Sequence, residues 1–262
     1  MTQYIKKLND LATTSILRFC ENDPAAHFFQ IANIDKLKEM QTLVSYYGQF
    51  NSDHKLVGVL MSFHKLWYFS FKSEADTAYA LNFVQSQDQE LLIINDPFGF
   101  YRTAMLAADH EEFLVVEGAL YELNCLREQT HDKLTSRAYL QDIDDLETFY
   151  QNAPEDVRRG RESLLRSLDG GRRTYIAKDR GKICAAALTT GETTDAVMIG
   201  GIHFNGNQHY LRAVLAELSR AIIKESKVAY IVIRDPVILH ICEEIGYVRG
   251  KSWNMIHICK KR

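Results

Sequence analysis

Hydrophobic and polar positions change period several times along the chain. Apolar residues recur at helical spacing in "LNDLATTSILRFC" and "NIDKLKEMQTLVSYYG", so both stretches are predicted to be helical. Two strand-like runs follow, "LVGVLMSFH" and "LWYFSF", separated by a connection only long enough for a turn. Residues 76–85 return to helical spacing. "ELLIIND" reads as a compact apolar strand that stops at the Asp96-Pro97 turn, and "HEEFLVVEGALYELN" as one or two more strands.

Residues 128–141, "EQTHDKLTSRAYLQ", are polar and weakly periodic. The join between two domains is placed there, giving 1–130 and 131–262. A short helix is predicted over 142–150. A second covers 155–168, with Pro154 in its first turn, Asn152 as a nearby cap and "DGG" at 169–171 as its stop. "RRTYIAKD" and "KICAAALTT" form a hairpin across Asp179-Arg180-Gly181-Lys182, where Gly181 can take positive φ. The strand "DAVMIGGIHF" follows the turn "GETT". Helix 208–224 then carries Leu211, Val214, Leu215, Leu218 and Ile222 on one stripe. "VAYIVIRD" is apolar almost throughout, as in the middle of a sheet covered on both faces. Pro236 opens and Gly246 closes the helix "PVILHICEEIG", and "SWNMIHIC" is the closing strand. The fold class is α/β, in the α+β form with a mixed sheet.

Composition narrows the function classes. With 262 residues, 46% of them hydrophobic, the chain can bury one substantial core or two smaller ones. A net charge of −3 gives no basic field, so nucleic acid is not an expected partner, and the terminal "KKR" is an isolated basic tail. No run approaches the roughly 20 apolar residues that span a membrane, and the N-terminus lacks the apolar block of a signal peptide. A cytoplasmic location without membrane attachment is the expectation. Five scattered cysteines without C-x-x-C, and nine histidines without a ligand-spaced pair, predict buried free thiols and no metal site.

The element order of the second half, with "GKICAAALTTGETTDAVMIGGIHF" and "ILHICEEIGYVRGKSWNMI", resembles the GNAT N-acetyltransferase family over residues 172–258. The "EEIGY" helix-to-strand phrase is its most telling part. "KLVGVLMSFHKLWYFSF" with "ELLIIND" looks like a decayed module of the same kind. It is similar to two-domain bacterial members whose N-terminal half has no cofactor site. The resemblance implies an acyl-CoA-dependent N-acyltransferase, in which the amine of a small molecule or peptide attacks acetyl-CoA directly. In the family, the acyl-CoA enters a splay between the fourth and fifth strands. On this chain the resemblance puts the pantetheine arm beside Gly200, Gly201, Ile202, His203 and Phe204. It puts the pyrophosphate at Asn207, Gln208 and His209, and Asp235 near a family asparagine that touches coenzyme A. Helix-terminal N–H groups attract an anion there whatever the family. Gly200 and Gly201 permit close approach of a ligand, or else mark a bulge or tight packing.

Two features depart from the family pattern. No placement of the pyrophosphate motif Gln/Arg-x-x-Gly-x-Gly/Ala fits. Starting at Gln208 puts Leu211 in the glycine slot, counting back from "LSR" puts His209 there, and using Gly206 starts the motif at His203. A β-carbon in that slot crowds phosphate. The family's acid tyrosine falls on Cys242, five residues before Tyr247. A thiol near its usual 8.5 can protonate a leaving thiolate, or Cys242 is simply a small buried residue. Glu192 in "GETT" and His203 are the candidate general bases. His203 reads as in phase with Ile199 and Gly201 on the cleft face, while either group can equally be a solvated end residue. Arg172, Arg173 and Lys182 read as solvated strand-end charges. These departures also admit a second reading, a catalytically degenerate member acting as a coenzyme A sensor or protein-interaction module. The closing strand at 252–259, if exposed, offers an edge for a homodimer.

Overall fold

The computed structural model describes residues 3–34, 43–63, 66–87, 91–94, 100, 113–116, 118–127, 134–155, 157–168 and 172–258. The chain forms two compact units, 1–119 together with 251–262, and 120–250. The second unit is therefore inserted into the sequence of the first.

The first unit has a seven-stranded sheet of order β1-β2-β3-β4-β5-β14-β6. Its strands are β1 (Tyr4–Leu8), β2 (Val44–Phe50), β3 (Leu56–Phe63), β4 (Leu66–Phe71), β5 (Leu91–Ile94), β6 (Phe113–Val116) and the C-terminal β14 (Met255–Ile258). Helices α1 (Thr13–Cys20), α2 (Phe28–Ala32) and α3 (Thr77–Gln85) accompany it. The hairpin of "LVGVLMSFH" and "LWYFSF" forms as expected, while β4 and β5 are parallel. Buried Val57, Leu60, Trp67, Phe69, Leu81 and Val84 make the core between sheet and α3.

Two expectations need correction here. Residues 44–48, read as helical, are strand: Val44 and Tyr46 are buried while Ser45 and Tyr47 are half-buried, a period of two. The neighbouring residues 35–42, and the Asp96-Pro97 turn, lie outside the described residues. The closing strand is not one exposed edge. It breaks at Trp253-Asn254, and β14 then pairs antiparallel with β5 on one side and β6 on the other. Buried Trp253, Met255 and Ile256 drive that insertion. β1 was not legible because its lysines interrupt alternation, as suits an edge strand.

A buried polar network closes the end of β4. Ser70 accepts a hydrogen bond from Gln30 Nε2 at 2.7 Å and lies 2.7 Å from His27 Nδ1, while the Tyr46 hydroxyl donates to the Gln30 carbonyl. Burial pushes the His27 imidazole down to about 4. The unfolded chain, with histidine near 6.5, therefore binds a proton that the folded chain refuses. Stability is full above pH 6.5 and falls as pH drops from 6.5 to 4, by about 3 kcal/mol from this residue. Urea unfolding across that range should show a flatter pH dependence for His27→Gln than for the wild type.

The second unit has the sheet order β13-β7-β12-β11-β10-β9-β8. Its strands are β7 (Ala119–Leu123), β8 (Thr135–Arg137), β9 (Thr174–Asp179), β10 (Lys182–Glu192), β11 (Ala196–Phe204), β12 (Val228–Ile233) and β13 (Val248–Ser252). Its helices are α4 (Ile143–Gln151), α5 (Arg161–Leu168), α6 (Gln208–Ile223) and α7 (Pro236–Ile245). The expected stripe of α6 is fully buried. The β9–β10 turn takes positive φ at both Arg180 (47°) and Gly181 (80°), the geometry that matches strand twist. Gly246 closes α7 at φ 119°.

The helix read from residue 155 begins only at Arg161. Pro154 heads a separate turn, its carbonyl accepting from the Val157 and Arg158 N–H groups, and Gly160 stands between the two. Asn152 ends α4 instead of starting α5. The "DGG" stop lies outside the described residues. Within the polar join, Thr135–Arg137 forms the edge strand β8 against β9.

Candidate functional site

β11 and β12 run parallel and pair from Ala196↔Val228 to Ile199↔Ile231. Beyond that point the two strands part, and residues 200–204 stay paired only with β10. The cause is a bulge. Gly200 pairs with Leu188 and His203 with Ala186, so Gly201 and Ile202 together oppose the single Ala187. Gly201 has φ 56°, and a β-carbon on it would stand 2.9 Å from Leu188 Cγ. A β-carbon on Gly200 would meet Thr190 Cγ2 at 2.7 Å. Glycine is thus required at both positions by the bulge and its packing. The bulge in turn makes an open strand edge at Gly200, Gly201, Ile202, His203 and Phe204.

The same bulge shifts the phase of the strand. Residues opposite one another share a face, so His203 lies with Ala186, Gly200 and Leu188, on the face covered by α4. Ile199 pairs with Thr189 and points the other way, which corrects the in-phase reading of His203. The His203 ring packs on Phe149, with centroids 4.7 Å apart, and its Nε2 is buried without a hydrogen-bond partner among the described residues. Burial holds the imidazole below its usual range. At neutral pH it is uncharged, with one ring nitrogen able to accept a proton. Beside it, the buried Tyr150 hydroxyl donates to the Gly201 carbonyl.

After β11 the chain turns through Asn205, whose N–H donates to the Cys184 carbonyl at 2.9 Å, and Gly206 at φ 79° with open space around it. Asn207 caps α6, accepting from the His209 N–H at 3.0 Å. Gln208 and His209 are exposed, whereas Leu211 is turned fully into the core and does not crowd the loop. An anion at this helix start has to share the His209 N–H with the Asn207 side chain or displace it.

The remaining candidates sit apart from this edge. Asp235 spends its carboxylate capping α7, accepting from Val237 N at 2.7 Å and Ile238 N at 3.2 Å. Cys242 is fully buried in α7, and burial pushes its thiol up to about 12. Such a thiol is a much weaker acid than an ordinary one near 8.5 and a poor donor to a leaving thiolate. Glu192 pairs with Val197 at the start of β11, six residue steps or roughly 20 Å from His203. Its carboxylate accepts from Arg173 Nη2 at 3.0 Å and from Lys227 Nζ. Arg173, read as a solvated strand-end charge, is only 7% exposed and also bonds Glu225 at 2.8 Å. The structure therefore does not bring Glu192 and His203 together. Phe149 and Tyr150 went unrecognised because their spacing marks them as ordinary core residues of α4. Their contact with β11 spans more than fifty positions and leaves no local trace.

The first unit repeats the strand order. Its described β4–β5 pairs run from Leu66↔Leu91 to Phe69↔Ile94, and β4 ends two residues later. The Ser70 hydroxyl, one residue beyond the described pairs, is sealed by Gln30 and His27. At the start of α3, Asp76 accepts from Tyr79 N, while Gln3 and Gln49 hold its backbone N–H and carbonyl. The loop corresponding to Asn205–Asn207 is thus tied down and carries a carboxylate.

Among the described residues no helix is long and apolar enough to cross a membrane, and no group of three or more His, Cys, Asp or Glu is placed to hold a metal ion. No protein-family model matches the sequence, and no curated protein matches it. Solved structures do. A GNAT-family acetyltransferase from Colwellia psychrerythraea aligns at a TM-score of 0.61 and 14% identity, covering 98% of this chain and 100% of the other. A Drosophila protein aligns at 0.66 and 15% identity, covering 98% and 99%. A GCN5-related glucosamine N-acetyltransferase region of a fungal β-N-acetylglucosaminidase aligns at 0.63 and 10% identity, covering 98% of this chain and 38% of the other. Likeness at this level of identity is a likeness of fold, and it extends over both units.

Proposed function

We propose, from the GNAT acetyltransferase fold of this chain, that its second unit transfers an acetyl group from acetyl-CoA to an amine. The observation that carries the reading is the parting of β11 from β12 at a glycine bulge. It leaves an extended backbone edge, as a pantetheine arm with its two amides needs for strand-like pairing. Residues 200–204 are proposed to hold that arm. The α6 start would hold the pyrophosphate, with Asn207 yielding the His209 N–H.

His203 is the proposed general base. Its neutral imidazole takes the proton of the attacking amine as nitrogen bonds to the thioester carbonyl carbon. Collapse of the tetrahedral species breaks the carbon–sulfur bond, and the coenzyme A thiolate leaves to be protonated by solvent or by the His203 imidazolium. No covalent nucleophile is proposed for this step, and Cys242 is too weak an acid to serve it. The sealed first unit is proposed to have no part in binding coenzyme A. Among the described residues Cys20 and Cys242 are buried free thiols as expected, whereas Cys184 is half-buried and Cys125 exposed; free thiols are in keeping with a reducing, cytoplasmic setting.

The test is release of free thiol from acetyl-CoA over a panel of amines: glucosamine, amino acids, polyamines and peptide N-termini. Acetylated product is identified by mass. Turnover with one amine class supports the reading. Binding of acetyl-CoA without turnover of any amine favours the coenzyme A sensor instead.

A further inference from the structure

We propose that Tyr150 is the positioning residue that holds the β11 bulge in the conformation able to receive acetyl-CoA, a proposal that rests on the functional reading above. A bulge takes a residue out of the ladder and leaves its backbone groups to find other partners. At Gly201 the partner is supplied from another element: the Tyr150 hydroxyl of α4 donates to the Gly201 carbonyl, both being buried. Burial pushes the phenol up, so the hydroxyl stays protonated and remains a donor at any physiological pH. Gly201 carries the left-handed φ of the bulge, and the bond fixes its carbonyl and with it the course of residues 200–204 beside β10. The adjoining Phe149 packs on the His203 ring, so consecutive residues of α4 fix the strand edge and the imidazole together.

This role differs from ordinary core stabilisation, and the same unit contains the control. Tyr247 is an equally buried tyrosine whose hydroxyl bonds Ser219 at 2.7 Å, between α6 and the residue following Gly246. Tyr150→Phe and Tyr247→Phe each remove one buried hydroxyl and keep the ring. Each is expected to lower the melting temperature of the unliganded protein to a similar, modest extent.

Acetyl-CoA affinity should separate them. Calorimetric titration of the full chain is expected to show the dissociation constant rising about tenfold in Tyr150→Phe, the equivalent of one lost buried hydrogen bond. In Tyr247→Phe it should stay within twofold of wild type. An unchanged affinity in Tyr150→Phe, or equal weakening in both variants, overturns the positioning role while leaving acetyl-CoA binding intact. A wild-type chain that binds no acetyl-CoA overturns the functional reading, and this role with it.

Discussion

A fragment spanning residues 118–250 is expected to unfold cooperatively in urea, and a fragment spanning 131–262 is not. The difference lies in β7, which sits between β13 and β12 in the interior of the second sheet. Ala119, Leu120, Tyr121 and Leu123 of that strand are all buried. Losing them removes about 5–8 kcal/mol of apolar burial and leaves the ladders on either side without a partner. A domain is stable by only about 5–15 kcal/mol in total, so the shorter fragment has little left. It also carries β14, which belongs in the first sheet, as an unsatisfied apolar strand. Circular dichroism against urea reads the outcome. A sharp transition in 131–262 matching that of 118–250 would mean that β7 is dispensable.

Replacing His203 with alanine is expected to slow acetyl transfer by about 10²–10⁴-fold, the usual contribution of a positioned general base. Binding of acetyl-CoA should change little, because the strand edge uses the backbone of residue 203. The pH profile gives an independent check. Burial keeps the imidazole below its ordinary 6.5, so the neutral, proton-accepting form prevails from about pH 6.5 upward. Wild-type kcat/KM should therefore climb at acid pH with its midpoint below pH 6.5. If His203→Ala keeps that acid limb, or loses less than threefold in rate, another group takes the amine proton.

Much of the second unit was legible because its signals are local. The stripe of α6, the Pro236 and Gly246 ends of α7, and the Gly181 turn each follow from residues within one element. The first half was harder to read at "TLVSYYG", where helical and strand spacing coincide over a short apolar run and pairing with β3 decides for strand. Pro154 misled because a proline suits any first turn, and only Arg159 and Gly160 separate its turn from α5. The two interior strands contributed from distant segments, β7 and β14, were read as strands, but their places in the two sheets could not be found from the sequence. Their apolar runs announce strands but carry no mark of which sheet receives them.

The site divides along the same line. The bulge-forming glycines were visible as a pair, yet the one-residue phase shift that turns His203 toward α4 depends on register with β10. Tyr150 and the ion pairing of Glu192 with Arg173 and Lys227 rest on contacts between elements, which spacing alone does not encode. In the loop expected to meet pyrophosphate, the residue standing in the glycine slot is out of the way when the motif is started at Gln208. Leu211 faces the core, and Gly206 supplies a left-handed residue in the loop.

Calorimetric titration of the full chain with acetyl-CoA tests the central claim most directly, because it counts sites as well as detecting them. One acetyl-CoA per chain is expected, held by the open β11 edge of the second unit and refused by the sealed β4 end of the first. Saturation at 100 times the dissociation constant should raise the stability of the binding unit by about 2.7 kcal/mol. Two sites per chain, or no heat of binding at millimolar acetyl-CoA, would contradict it.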